Sequence, residues 1–312
     1  DVCNLRCPLC FLNQRGSAYG KGEMPLDVAF AAIEKYHGAG ASAVDGGNGL
    51  REVIPSTMGE PLLYSKFAEL LDYCLAARIP LNLTTNGSFP GVWGTCEGMA
   101  ELVRACSDIK VSCMGFSEDV VREMMPGLTF EKWKENVERL LEVADRLKNS
   151  DKNGVATVSL QVTLHKKILS QVREILAWAE STGIARVKWN MPVFIATGER
   201  LRAEYGVNGI DVGALRNELR SDKVRCEGSL FFDVPTIKKC AIHIDEKRAA
   251  HIDGKCAVAN GDSKENARAC DFFDEDIWVM PDGSVEYCPN PEKRFGNPAA
   301  PGAKCEGCLM FR

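Results

Sequence analysis

Three cysteines open the chain, Cys3, Cys7 and Cys10, spaced Cys-x3-Cys-x2-Cys within Cys3-Asn-Leu-Arg-Cys7-Pro-Leu-Cys10. One tight loop, stiffened by Pro8, presents all three thiolates together, so they can hold three irons of a four-iron cluster. Iron–sulfur clusters usually take four cysteine ligands. Three leave one iron open to a small molecule. A zinc knuckle is the competing assignment. It needs a fourth ligand, and of the four histidines the nearest, His37, has no partner at knuckle spacing. A second group lies near the other end: Cys226, Cys240, Cys256, Cys270, Cys288, Cys305 and Cys308. Cys74, Cys96, Cys106 and Cys113 are scattered between. Two rich ends around a sparse middle suggest two metal centres on one scaffold.

The remaining composition narrows the class. The chain has 312 residues, about two domains' worth, with 45% hydrophobic and 26% charged residues. That balance excludes intrinsic disorder, which needs low hydrophobicity and high charge. Fourteen cysteines in a chain this long are not the dense framework of a small secreted domain. Short spacings point instead to metal binding in a reducing interior, and the expected location is the cytoplasm. Net charge is −5 with no basic stripe, so nucleic acid is not the expected partner. No apolar run approaches the roughly 18 residues of a membrane helix, and no charged-then-apolar leader is visible.

The elements that must position the cysteines alternate. Helical spacing marks residues 26–36, 62–77, 97–106, 130–147 and 170–181, the last ended by Gly183. Strand patterns mark 52–55, 81–85 before the Asn86-Gly87 turn, 108–112, 155–164 and 186–190. Strand-helix alternation implies βαβ units and a parallel sheet, with at least five strands over about residues 41–194. Beyond Gly198 the pattern breaks. A helix is expected over 212–219 and a hairpin through Pro281-Asp-Gly283, while 254–269 reads as loop. The expected domains are 1–200 and 201–312.

The opening cysteine segment resembles the signature of the radical S-adenosylmethionine (SAM) superfamily. That resemblance implies that the open iron of a [4Fe-4S] cluster chelates the amino and carboxylate groups of SAM. Reduction of the cluster by an external donor such as flavodoxin or ferredoxin then releases a 5′-deoxyadenosyl radical that abstracts hydrogen from substrate. It also implies an α/β fold, a partial (β/α)6 TIM-like barrel. Thr57-Met58-Gly59-Glu60-Pro61 matches the family's Gly-Gly-Glu-Pro element, which contacts the SAM amine, with Met58 in place of the first glycine. Thr84-Thr85-Asn86-Gly87 resembles the end of the next strand. Ser112 and Gln161 occupy positions that contact the SAM ribose and carboxylate, and Asn190 to Val193 the strand end near adenine. Each alone has a plainer reading: a capping carboxylate, a sheet-end hydroxyl, an exposed strand residue. Together they fall at the carboxyl ends of strands, the active face of parallel barrels. The family's first strand precedes the cysteine loop, so the native chain is expected to continue before Asp1.

The second cysteine group resembles the auxiliary-cluster extensions of the same superfamily, twitch and SPASM. Cys270, Gly283 and Cys288 match their Cys-x9–15-Gly-x4-Cys element, and Cys305-Glu-Gly-Cys308 supplies two more thiolates. Four ligands complete one auxiliary [4Fe-4S] cluster in a small loop-rich domain of a β-hairpin plus helix. The same four cysteines also suit a zinc ribbon. The chain ends without the longer SPASM run, which favours the twitch type. Cys226, Cys240 and Cys256 remain. They are buried hydrophobes, substitute ligands, or a hydrogen donor to a substrate radical, with Cys240 favoured and Cys113 a weaker candidate. Lys188 and Glu199, near strand ends, are surface charges or substrate contacts.

The expected function is hydrogen abstraction from a small sugar-like or aminoglycoside-like substrate. A thiol donor then gives epimerisation, and an auxiliary cluster accepting an electron gives dehydrogenation. Peptide modification is the alternative. A non-catalytic iron–sulfur or zinc-binding electron carrier, with four protein ligands at every metal, is a further one.

Overall fold

The computed structural model describes residues 2–14, 22–38, 50–55, 59–150, 155–194 and 199–231, together with four two-residue strands further on. The chain divides into two units, 1–26 with 48–231 and 27–47 with 232–312. The first carries α1 (Phe11–Gln14), α3 (Phe67–Ala77), β1 (Leu81–Thr85), α4 (Cys96–Ala105), β2 (Cys106–Cys113), α5 (Glu118–Met124) and α6 (Phe130–Ser150). It continues through β3 (Thr157–Thr163), α7 (Val172–Thr182), β4 (Arg186–Asn190), α8 (Glu199–Tyr205), α9 (Val212–Glu218) and β5 (Arg225–Glu227). The second holds α2 (Leu26–Gly38) and two antiparallel pairs, β6 (His251–Ile252) with β7 (Lys255–Cys256) and β8 (Trp278–Val279) with β9 (Val285–Glu286).

The five long-unit strands form one parallel sheet in sequential order, β1-β2-β3-β4-β5. Crossovers between parallel strands are right-handed. With strands added in one direction, such crossovers stack every helix on the same face and leave the other face as the inside of a partial barrel. The burial pattern agrees. Leu81, Leu83, Ile109, Val111, Val158, Leu160, Val162, Val187 and Trp189 alternate along the strands and are buried. These meet the helices. The intervening positions are polar in all five strands and line the lumen.

Helix α6 illustrates how the sequence sets the packing. Trp133, Asn136, Val137, Leu140 and Val143 recur at three- and four-residue spacing and are its buried face. Trp133 meets Phe130, Phe116 and Trp178 in an aromatic cluster over the sheet. Helix α7 stops where Gly183 takes a φ of +80°, as the sequence indicates.

Several expectations shift. The helix over 62–77 is split into a 3-10 turn, Pro61–Leu63, and α3, because Tyr64 is extended between them. The expected strand at 52–55 contracts to a single parallel bridge, Val53 to Leu81. Among the described residues, 41–194 hold four strands, and the fifth, β5, lies past residue 200 against β4. Of the expected hairpin, Trp278–Val279 and Val285–Glu286 are described, and they pair antiparallel with Val279 opposite Val285. Lys255–Cys256 pairs as a short strand inside the stretch read as loop.

Candidate functional site

The cysteine loop is fastened to the sheet at several points. Leu5, Leu9 and Leu12 are its buried anchors. Arg6 N–H donates to the Pro126 carbonyl at 3.3 Å, and Glu60 N–H to the Val2 carbonyl at 2.7 Å. Arg6 Nη1 turns back onto the Cys3 carbonyl at 2.7 Å. Where the loop becomes α1, Gln14 Nε2 reaches the Leu9 carbonyl at 2.8 Å and the Val193 carbonyl, past the end of β4, at 3.2 Å. The loop therefore spans from the β1 end to the β4 end of the sheet.

At β1 the contact runs through Asn86. Its Nδ2 donates to Asn4 Oδ1 at 2.9 Å and lies 3.8 Å from Cys3 Sγ. Asn4 Nδ2 in turn donates to Ser88 Oγ at 3.0 Å. Behind them sits Glu60, 3% exposed. Its carboxylate accepts from Asn86 N–H at 2.7 Å, Thr85 Oγ1 at 2.8 Å and Leu62 N–H at 3.4 Å. Burial pushes the Glu60 carboxyl up to about 7, although those three donors pull it down. The glutamate thus braces the β1 end against Gly59 and Pro61, and both side-chain oxygens accept from protein donors.

Helix α6 supports the same turn from the helix side. Asn136 Nδ2 donates to the Gly87 carbonyl at 2.9 Å and the Ser88 carbonyl at 3.2 Å. Trp133 Nε1 donates to the Ser112 carbonyl at 3.1 Å. Gly87 has a φ of +83°, and a Cβ there would lie 2.7 Å from Trp133 Cδ1, so any side chain at this position is strained and must displace the ring. Asn4, Gln14, Trp133 and Asn136 were not singled out by sequence. The available signal was Asn136 itself, a polar residue on the apolar stripe of α6.

The predicted residues gather as follows. Ser112 on β2 stands opposite Gln161 on β3, both on the lumen face. Asn190 ends β4 opposite Thr163, and its Oδ1 accepts from Ser229 N–H at 3.2 Å. Gly59, Glu60, Pro61, Thr85 and Asn86 surround the β1 end. Cys226 lies in β5 opposite Val187, on the helix face. The alternation that turns Lys188 and Glu227 into the lumen turns Cys226 away, so it is not placed to return hydrogen to a substrate there. Cys113, fully buried beyond Val111, shares that outward parity. Cys240, Cys270, Cys288, Cys305 and Cys308 lie outside the described residues, as does the side chain of Cys256.

The loop thiols suit a cluster by donor type. Burial pushes Cys7 up to about 12, with Cys10 and Cys3 adding to the effect. Cys3 is raised by burial, with the Leu5 N–H opposing. Thiols that raise one another are near neighbours, and a bound cationic centre is what permits them to ionise together. Thiolate sets favour iron–sulfur clusters and zinc. Among the described residues no three His, Cys, Asp or Glu side chains converge on one ion position. In a four-iron cluster each of three thiolates serves a different iron.

Comparison with known proteins places the chain. The model of the radical SAM superfamily matches residues 1–179. No curated protein matches. Among solved structures, SuiB of Streptococcus suis is 17% identical, with a TM-score of 0.53 over 78% of this chain and 51% of SuiB. SuiB bound to its precursor peptide SuiA gives 0.50 at 17% identity, over 76% of this chain and 49% of that one. Native anSMEcpe with bound AdoMet and the Kp18Cys peptide gives 0.53 at 14% identity, over 99% of this chain and 76% of that one. The chain spans about half the length of the SuiB chains it matches. Among the described residues no helix is long and apolar enough to cross a membrane.

Proposed function

The chain belongs to the radical SAM superfamily, and from that premise we propose that it is an enzyme that modifies a peptide substrate. The observation that carries the reading is the cysteine loop fastened over the β1 end through Asn4, Asn86 and Glu60, above a polar lumen. The family's cofactors are a [4Fe-4S] cluster and SAM; bound together, they supply a 5′-deoxyadenosyl radical that abstracts hydrogen from substrate.

Cys3, Cys7 and Cys10 would hold three irons of that cluster. Gly59, Glu60 and Pro61, with Thr85 and Asn86, would shape the pocket for the SAM methionyl group. The Glu60 carboxylate, held by three protein donors, would fix the turn that meets the SAM amine. Ser112 and Gln161 would line the SAM ribose side, and Asn190 and Val193 the adenine side. The lumen residues would exclude bulk water around the reacting carbon. Cys270, Cys288, Cys305 and Cys308 would hold one auxiliary [4Fe-4S] cluster, in the manner of the twitch and SPASM extensions.

A peptide substrate replaces the sugar-like one expected from sequence. Support comes from solved structures of similar fold, one of SuiB bound to precursor peptide SuiA and one of anSMEcpe with bound AdoMet and the Kp18Cys peptide. The outcome of the reaction follows the fate of the substrate radical. Cys226 faces the helices, so a thiol donor would come from Cys240 or Cys256, and dehydrogenation or crosslinking needs only the auxiliary cluster as electron acceptor.

Anaerobic reconstitution tests both halves. The protein should bind about eight irons, two four-iron clusters, and release 5′-deoxyadenosine when reduced with SAM by flavodoxin or dithionite. Cys3→Ala should lower the iron content by about half and abolish release. Incubation with a mixed peptide library should then give a peptide altered in mass by hydrogen loss, a crosslink or solvent deuterium. Four irons with no SAM cleavage would identify an electron carrier, and turnover confined to sugars would exclude the peptide reading.

A further inference from the structure

Asn86 closes the turn after β1, and its main chain and side chain face different tasks. The main-chain N–H goes to Glu60 Oε2 at 2.7 Å. Side-chain Oδ1 accepts from Ser88 N–H at 2.8 Å, the bond of an Asx turn. The amide nitrogen carries two hydrogens. One goes to Asn4 Oδ1 at 2.9 Å, and the same nitrogen lies 3.8 Å from Cys3 Sγ, within hydrogen-bond reach of a sulfur. Asn4 is itself fixed, since its Nδ2 donates to Ser88 Oγ at 3.0 Å. Asn4 and Ser88 together therefore aim the second amide N–H of Asn86 at the first sulfur of the cysteine loop.

The same sulfur has another donor, Leu5 N–H at 3.4 Å. A neutral thiol is a weak acceptor, so two N–H groups on one sulfur suit the electron-rich thiolate of a bound metal centre. Hydrogen bonds to the cysteine sulfurs are among the features that set the potential of an iron–sulfur cluster. Reduction brings in one electron from an external donor such as flavodoxin, and part of the added charge falls on the ligating sulfurs. A donor already aimed there stabilises the reduced form more than the oxidised one, which makes reduction easier. Both amide hydrogens of Asn86 are taken up within the protein, so its side chain has no N–H left to offer SAM.

We propose that Asn86 tunes the reduction potential of the cluster held by the cysteine loop, raising it through the N–H aimed at the Cys3 sulfur. The inference rests on the metal assignment of the reading above and is independent of the substrate. It separates two roles that share one position: the main chain of Asn86 serves the turn, and its side chain serves the metal centre. Asn86 acts only through Cys3, so it is a positioning residue. The Leu5 donor is main chain, which leaves Asn86 as the donor that a side-chain substitution removes. The bond is long and only part-buried, so its effect on the balance of reduced and oxidised cluster is about tenfold, at the low end for a hydrogen bond to a charged group.

The test is a redox titration of the cluster-loaded protein without SAM, followed by electron paramagnetic resonance at a pH well above the carboxylate range. The signal followed is the one missing from Cys3→Ala, which separates it from an auxiliary cluster. Asn86→Ser keeps an oxygen for the Ser88 N–H and removes the amide. It should shift the equilibrium about tenfold against reduction, a fall of about 59 mV for one electron. Asn86→Asp keeps the shape, sets an anion beside the sulfur and should lower the potential about tenfold further. A merely structural role gives the reverse order, with the isosteric aspartate nearer the wild type. Asn13→Ala is the control. Its Nδ2 donates to the Cys7 carbonyl at 3.3 Å, in the same loop but not on sulfur, and its loss should leave the potential unchanged. Equal potentials in wild type and Asn86→Ser, an aspartate variant nearer the wild type than the serine one, or an equal shift in Asn13→Ala overturns the proposal. Iron content is measured first: if one Asn86 variant loads, its shift decides, and if neither holds the cluster the residue is structural and the proposal falls. A potential that stays put while SAM affinity drops about tenfold returns the side chain to the cofactor and overturns it too. Wild-type protein with no signal that depends on Cys3 sinks the metal assignment itself, a failure visible before any Asn86 variant is made.

Discussion

Replacing Asn136 with leucine probes how firmly α6 holds the site. Asn136 is 1% exposed, and its amide donates at 2.9 Å to the Gly87 carbonyl and at 3.2 Å to the Ser88 carbonyl. Leucine keeps the branched shape, with bulkier methyl ends, and removes both donors. A buried group left without its partner costs about 1–3 kcal/mol. The second bond is longer and only part-buried, so the pair is worth about 3 kcal/mol, a large share of the 5–15 kcal/mol that typically separates folded from unfolded states. The freed turn carries Asn86, which contacts Glu60, Asn4 and Cys3. Loss of its support should therefore lower 5′-deoxyadenosine release about tenfold or more, the effect of moving a positioned group by a fraction of an ångström. The control is Leu140→Ala on the same helix face, fully buried and expected to cost about 2–5 kcal/mol through its cavity alone. Urea midpoints give the stability of both variants, and release of 5′-deoxyadenosine at saturating SAM gives their function. If Asn136→Leu costs under about 1 kcal/mol, or if its cleavage rate matches that of Leu140→Ala at equal stability, the reasoning fails.

Two further perturbations act on the same end of the sheet. Burial raises the Glu60 carboxyl from 4.5 to about 7; because the folded value lies above the unfolded one, its contribution is complete below about pH 4.5 and is lost as pH rises through 7, by about 3 kcal/mol. Glu60→Gln, in which the Thr85 hydroxyl turns to accept from the amide, should remove that slope, so urea midpoints of cluster-free, reduced wild type and variant should diverge between pH 5 and pH 8 in the variant's favour; a constant gap would refute the assignment. Gly87→Ala meets both a φ of +83° and a contact at 2.7 Å with the Trp133 ring, and should destabilise by about 2–4 kcal/mol while shifting near-ultraviolet circular dichroism of the indole; a loss under about 1 kcal/mol would show that the ring moves aside freely.

The strands that carry the site were legible because their alternation is clean. In β2, Asp108, Lys110 and Ser112 interleave with Ile109 and Val111, a pattern that marks both a strand and its two faces. The turn after β1 was legible from Asn86-Gly87. Strand β5 was not, because the three residues Arg-Cys-Glu are too few to show a period and form a strand only through their pairing with β4. The roles of Glu60 and Asn136 were hidden for a related reason. Sequence places a glutamate beside a strand end and an asparagine on an apolar stripe, but which donors and carbonyls they meet depends on residues 25 and 49 positions away. The direction of Cys226 likewise needed the register with Val187, since a lone cysteine between two charges has no periodicity to orient it.

The order in which the loop's partners emerge during synthesis has a consequence for maturation. The three cysteines leave the ribosome before the residues that tie their loop down: Asn86, Ser88, Pro126 and Val193 follow by roughly 80 to 190 residues. The partners at the β1 end come first, and the last of the set, Val193, is made only after β4. A metal centre built on these thiols would then be loaded onto a complete sheet rather than a nascent chain, and a translating chain would need protection from oxidation in the interval.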